Sequence, residues 1–136
     1  VDATPAGNAL LRNHRLAFTL PSKRWTGRAA DVLPAPGAGV WGVLWEITDF
    51  GALDEFEKRY DRELFDVLRV GQGDRAGTPT RAFTYTAKPE HRAADEAPPA
   101  DAYLERMIHG AMHGGLPSDY IAFLKSCGGS PTSNTG

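Results

Sequence analysis

Five short apolar runs, at residues 15–20, 29–33, 40–47, 64–70 and 81–86, precede two long helical stripes, and that order limits the folds open to this chain. Each run is bounded by glycine, proline or charged turn residues, as strands usually are. One helical segment interrupts them at residues 48–61. A doubly wound parallel sheet needs strand and helix to alternate throughout, and here they do not. The order predicts an α+β domain, and no internal repeat suggests a solenoid. Within residues 40–47, Trp41, Val43, Trp45 and Ile47 share one face, with Gly42 and Glu46 on the other. That alternation predicts one core face and, at Gly42, close approach on the other.

The segment 48–61 opens with two candidate N-caps, Thr48 and Asp49, and then spaces Leu53, Phe56 and Tyr60 as one inward stripe. Asp54 with Lys58 and Glu55 with Arg59 stand four apart, the spacing of exposed ion pairs. Glu57 falls on the apolar side, and its own neighbour four residues on is Asp61, another acid. A carboxylate held against Leu53, Phe56 and Tyr60 without a cation loses hydration. Its pKa then rises into the range where it can both accept and donate a proton. The alternative is a boundary glutamate that reaches water past Tyr60, since perturbed acids are often structural.

After the prolines at 98 and 99, the pattern turns helical. Residues 101–113 carry Tyr103, Leu104, Met107, Ile108, Ala111 and Met112 in one stripe, ended by Gly114 and Gly115. A last helix begins at Pro117, buries Tyr120, Ile121, Phe123 and Leu124, and stops before Gly128 and Gly129. The predicted organisation is one domain over residues 10–127, with residues 1–9 and 128–136 as tails.

The 136 residues fit one domain, and a net charge of −2 with mixed signs gives no electrostatic footprint for nucleic acid or an anionic membrane. The expected partner is a neutral or zwitterionic small molecule, and nothing in the sequence sets an oligomeric state. A single cysteine, Cys127, excludes an internal disulfide and a cysteine-based zinc site. No apolar run approaches the about 18 residues of a membrane span, and the amino terminus has no signal-peptide core. A cytoplasmic location is the default expectation.

Other chemistry is weaker. Glu105, His109 and His113 recur every fourth residue and offer three metal ligands along one helix face, but a polar helix face with histidines has the same spacing. Cys127 has no base fixed near it in the sequence. Gly71, Gly73 and Gly77 lie between two strands with no helix after them, so they predict a hairpin loop and not a phosphate cradle.

Several segments in order resemble the γ-glutamylcyclotransferase-like (AIG2-like) family. They are Trp25-Thr26-Gly27, Pro36-Gly37, residues 40–47, Leu53-Asp54-Glu55-Phe56-Glu57, Pro98-Pro99 with Tyr103, Gly110-Ala111, and Gly115-Leu116-Pro117 with Tyr120. The resemblance spans roughly residues 12–125 and implies a small mixed β-barrel, closed or nearly so, with flanking helices. It implies that Glu57 is the general acid and base that converts a γ-glutamyl amide to 5-oxoproline and a free amine, and that Tyr103 contacts substrate. It implies no metal and no organic cofactor, because the attack is intramolecular.

Two departures from the family pattern stand out. Family members carry a Tyr-Gly-Ser-Asn-Leu loop whose backbone N–H groups hold substrate oxygens, and this sequence has none. Residues 7–18 resemble the segment that comes directly after that loop in family members, which leads to two alternative expectations: further residues before Val1 that carry the loop, or a degenerate member that has lost it. Two aromatic positions that are tyrosine in some members fall on Phe65 and Phe83, so Phe65 is expected at the substrate without a hydroxyl. A non-catalytic binding module of the same fold, and a metal hydrolase built on Glu105, His109 and His113, are the rival readings.

Overall fold

A computed structural model describes residues 3–21, 27–70 and 77–128. Four strands, β1 (Ala3–Pro21), β2 (Arg28–Ile47), β3 (Tyr60–Val70) and β4 (Thr78–Ala87), form one sheet in the order β2-β1-β3-β4. Helix α1 (Phe50–Phe56) lies between β2 and β3. A 3-10 turn (Pro89–His91), α2 (Asp101–His113) and α3 (Ser118–Ser126) come after β4. Trp25, Thr26, Gly71, Gly73 and the tail from Gly129 onward lie outside the described residues.

The fold class is the expected α+β, with helices flanking a curved sheet. The strands are longer than predicted, because the punctuation did not break them. Residues 29–33 and 40–47 belong to one strand, β2, whose intervening residues stay paired with β1 through His14 opposite Pro34 and Arg12 opposite Gly39. Pro34 can sit there because it has a β1 partner on one side only, and a strand edge tolerates a missing N–H. The expected amino-terminal tail is also strand from Ala3 onward, with Ala3 opposite Ile47 and Pro5 opposite Trp45. Register shifts after Pro5, Arg12 and Phe18 bend this long pair. Gly7 at φ 103° and Asn13 at φ 63° supply the left-handed backbone at the first two. The sheet therefore curls as the expected barrel-like fold does, a mixed barrel closed or nearly so, but it is antiparallel in every described pair and no described pairing joins β2 to β4.

Among the described residues, two apolar clusters lie on opposite faces of β1 and β2. Inside the curl, Ala9, Leu11, Val32 and Val67 are buried with Val40, Leu44, Phe65 and Ala82 against them. On the outer face, Ala111, Leu116, Tyr120 and Leu124 of the helical layer meet Leu16, Trp41 and Val43. Residues 40–47 therefore use both faces, not one. Gly42 has nothing within 4 Å of the place a Cβ would take. The close approach belongs to Gly114, where a Cβ would lie 2.6 Å from a Val43 methyl. No helix among the described residues is long and apolar enough to cross a membrane.

Candidate active site

Asp49 starts α1 by accepting a hydrogen bond from the Ala52 N–H at 3.3 Å, as an N-cap should. The helix then ends earlier than periodicity predicts. Glu57 leaves helical geometry at φ −105°, ψ 46°, its N–H closes on the carbonyls of Leu53 and Asp54, and its carbonyl accepts from Tyr60 N–H at 3.0 Å. Glu57 is thus the residue that turns the chain from α1 into β3. The expected four-apart ion pairs go with the missing turn: Glu55 meets Lys58 at 3.3 Å, and Asp54 pairs with Arg62 at 3.8 Å. Arg59 donates to the Pro21 carbonyl.

Glu57 is half-buried, and among the described residues its carboxylate has no hydrogen-bonded or ion-paired partner. Burial pushes its pKa above the ordinary carboxylate value, and the positive charge of Arg59 offsets part of that rise. Three tyrosines feel its charge. Tyr60 and Tyr103 are both pushed upward, first by burial and then by neighbouring charge that includes Glu57. Tyr85 is pushed up to about 12 by burial, by its hydrogen bond to Asp54 at 2.5 Å and by nearby charges, Glu57 among them.

Two of these hydroxyls meet at one residue of β2, Ala30. Tyr60 Oη donates to the Ala30 carbonyl at 2.9 Å, and the Ala30 N–H donates to Tyr103 Oη, also at 2.9 Å. The pair stands in for a neighbouring strand at the edge of β2 and satisfies both backbone groups there. Because Tyr103 accepts from Ala30, its own O–H proton is left to donate elsewhere. The fold therefore brings Tyr103, from the first turn of α2, to the tyrosines whose pKa Glu57 affects. Helical spacing already sets Tyr60 against Glu57, but the sequence gives no sign of the two hydroxyl contacts at Ala30 or of Tyr85.

Phe65 is not brought to this group. In the β3–β4 ladder Leu64 faces Phe83 and Phe65 faces Ala82, so Phe65 and Phe83 point to opposite faces. Phe65 packs inside the curl and meets His14 edge-to-face at 5.1 Å. Phe83 lies on the same face of the ladder as Tyr60 and Tyr85, against Phe50 at 5.3 Å, with the Arg62 guanidinium 4.9 Å from its ring. A largely apolar cavity of ≈ 700 Å³ opens between the β2 and β4 edges beneath α1, lined by Val32, Leu44, Leu53, Phe83 and Tyr85 among others. Tyr85 and Leu53 are walls it shares with the surroundings of Glu57.

The metal alternative gains no geometry. His109 and His113 stack at 6.2 Å, and among the described residues no three His, Cys, Asp or Glu side chains converge as a ligand set. Cys127 donates to the Phe123 carbonyl at 3.4 Å, and burial raises its thiol pKa, which disfavours the nucleophilic thiolate.

An acid withdrawn from water at a helix-to-strand turn and ringed by tyrosines, on a curled sheet flanked by helices, sits within the stretch that defines a known group. Residues 39–124 match the AIG2-like family, and the chain belongs to it. Curated relatives include proteins named gamma-glutamylcyclotransferase from Mus musculus and Homo sapiens. The mouse protein is 29% identical over 107 residues, covering 77% of this chain and 54% of the relative. The human protein is 28% identical with the same coverage. The chain thus spans about half the length of these relatives. A solved structure named gamma-glutamyl cyclotransferase superposes with a TM-score of 0.82 at 26% identity, covering 99% of this chain and 79% of that one. A human protein described as uncharacterized superposes at 0.81 and 27%, covering 93% of this chain and 75% of its own.

Proposed function

We propose that the protein cleaves a γ-glutamyl amide by intramolecular cyclisation, releasing 5-oxoproline and a free amine, with Glu57 as the group that moves the proton. The observation that carries this reading is the environment of Glu57: half-buried, raised in pKa, and unpaired among the described residues. Such a carboxylate takes a proton from the substrate α-ammonium. The freed amine attacks the γ-carbonyl carbon, and a new C–N bond closes the five-membered ring. As the bond to the leaving amine breaks, protonated Glu57 gives its proton to that nitrogen and then takes the second proton from the new ring nitrogen, passing it on to the released amine, so one carboxyl serves every transfer. Cyclisation within one molecule needs positioning more than activation, and effective molarities supply much of the rate. Tyr103, with an O–H free to donate, is assigned to substrate, and a cytoplasmic setting suits a chain with one cysteine.

The test is 5-oxoproline release, tracked by mass spectrometry, from γ-glutamyl amino acids and γ-glutamyl-lysine, comparing the unaltered protein with Glu57→Gln. Proton transfer by a positioned side chain contributes on the order of a thousandfold, and the variant should lose about that much while staying folded. Equal release from both proteins overturns the reading. Tight binding of a γ-glutamyl amide without release, in both proteins alike, would instead identify a binding module.

A further inference from the structure

Asp31 on β2 is the one carboxylate with a fully buried side chain among the ion pairs of the described residues. Its Oδ1 accepts from the backbone N–H groups of Val32 and Ala87, each at 2.9 Å. Its Oδ2 accepts from the Thr19 hydroxyl at 2.9 Å and from Arg92 Nε at 2.8 Å. The donors come from β1, β2, the end of β4 and the connector after the 3-10 turn. With four donors, one of them cationic, this carboxylate has no capacity left for a ligand and no reason to move.

Its immediate neighbour is Ala30, whose N–H and C=O hold the hydroxyls of Tyr103 and Tyr60. Fixing residue 31 from three other elements fixes the Ala30–Asp31 peptide, whose carbonyl takes the Tyr60 hydroxyl, and only the two soft dihedrals of Ala30 separate that peptide from the N–H that holds Tyr103. The connector is tied down over the same end of the sheet: Ala93 N–H donates to the Thr19 carbonyl at 2.8 Å, and Arg28 N–H to the Pro98 carbonyl at 3.3 Å. The groups that face Glu57 electrostatically are Arg59, Tyr60, Tyr85 and Tyr103, and Tyr60 also feels Asp31.

We infer that Asp31 is a positioning residue for the Glu57 site: by anchoring Ala30 it sets where the Tyr60 and Tyr103 hydroxyls stand, and so how dry the surroundings of Glu57 are. The part of this that concerns rate rests on the proposed cyclisation, whereas the part that concerns the Glu57 environment does not.

The decisive measurement is the titration of the Glu57 carboxyl carbon by NMR in the unaltered protein, Asp31→Asn and Thr19→Val, alongside kcat, KM and their pH profiles. In Asp31→Asn an amide replaces the oxygen that holds Arg92 and Thr19. The Glu57 midpoint should fall toward the ordinary ~4.3. A misplacement of this kind can cost up to about a hundredfold in kcat with a smaller change in KM. Thr19→Val removes one donor of the four and should move both readouts the same way by less. Should Asp31→Asn fail to fold, Thr19→Val and Arg92→Lys carry the same comparison. Folded variants that melt earlier but keep the Glu57 midpoint and the pH profile would show a purely structural knot and overturn the inference. If the unaltered protein cyclises no γ-glutamyl amide, the proposed function fails, and the NMR titration alone still decides the role of Asp31.

Discussion

Asp31 and Glu57 are both acids withdrawn from water, and Tyr60 feels the charge of each, yet the molecule treats them in opposite ways. Asp31 is surrounded by four donors, an arginine among them. Among the described residues Glu57 has only the moderating charge of Arg59. Burial alone therefore does not make a carboxyl reactive. What separates the two is the supply of donors: both oxygens of Asp31 are fully engaged, while Glu57 has no described donor and burial raises its pKa. The same contrast separates the ends of the local structure. The Asp31 region is bound from four directions, and Glu57 sits at a turn whose only described hydrogen bonds are backbone ones.

The comparison breaks most visibly if the two acids are interchangeable in activity. Glu57→Gln is expected to cut 5-oxoproline release by about a thousandfold with little loss of melting temperature, measured on the same preparation. Asp31→Ala should do the reverse in stability, costing about 3–5 kcal/mol because Arg92 is left against a buried site without its partner. Denaturant titration checks it. A smaller effect tests the connector that the Asp31 region holds in place. Gly27 has φ 149°, and a Cβ there would stand 2.4 Å from Ala100 N and 2.8 Å from Pro99 C, both backbone atoms. Gly27→Ala should therefore cost about 1–3 kcal/mol by overpacking, again read by denaturant titration. The smallest effect concerns pH. Folding raises the Glu57 pKa above 4.5, so the folded state holds a proton that the unfolded state releases first. That contribution is fully present below about 4.3 and is lost as pH rises through the folded midpoint. Relative to the unaltered protein, Glu57→Gln should therefore gain stability as pH rises through that window, and parallel melts across pH will show whether it does.

The helices are the most legible part of the sequence. Periodicity marks residues 101–113, which are α2, and Pro117 precedes α3 as its shape suits. The strands are located but cut short, since prolines and glycines between residues 34 and 39 look like turns when only local sequence is read. Their pairing with β1 is a long-range event that no window of residues displays. The same holds for residues 3–9, whose small side chains carry little apolar signal and which are ordered by their partner β2. Glu57 is legible as an acid without a partner, although the helix that makes it look odd stops one residue before it. Phe65 is misplaced by a single register step, and in a strand one step exchanges the faces. Asp31 leaves a fainter signal: a lone acid among Ala29, Ala30, Val32 and Leu33 has to find donors if that run is buried.

The meeting of Tyr60 and Tyr103 at Ala30 also gives the molecule a built-in spectroscopic probe. An amide at a sheet edge ordinarily exchanges its hydrogen with solvent freely, but the Ala30 amide is bound to a phenol oxygen at 2.9 Å and should exchange slowly for its position. A ligand that draws on the Tyr103 hydroxyl alters the partner of that one amide. Its resonance then reports occupancy of the site directly, whatever amine the substrate carries.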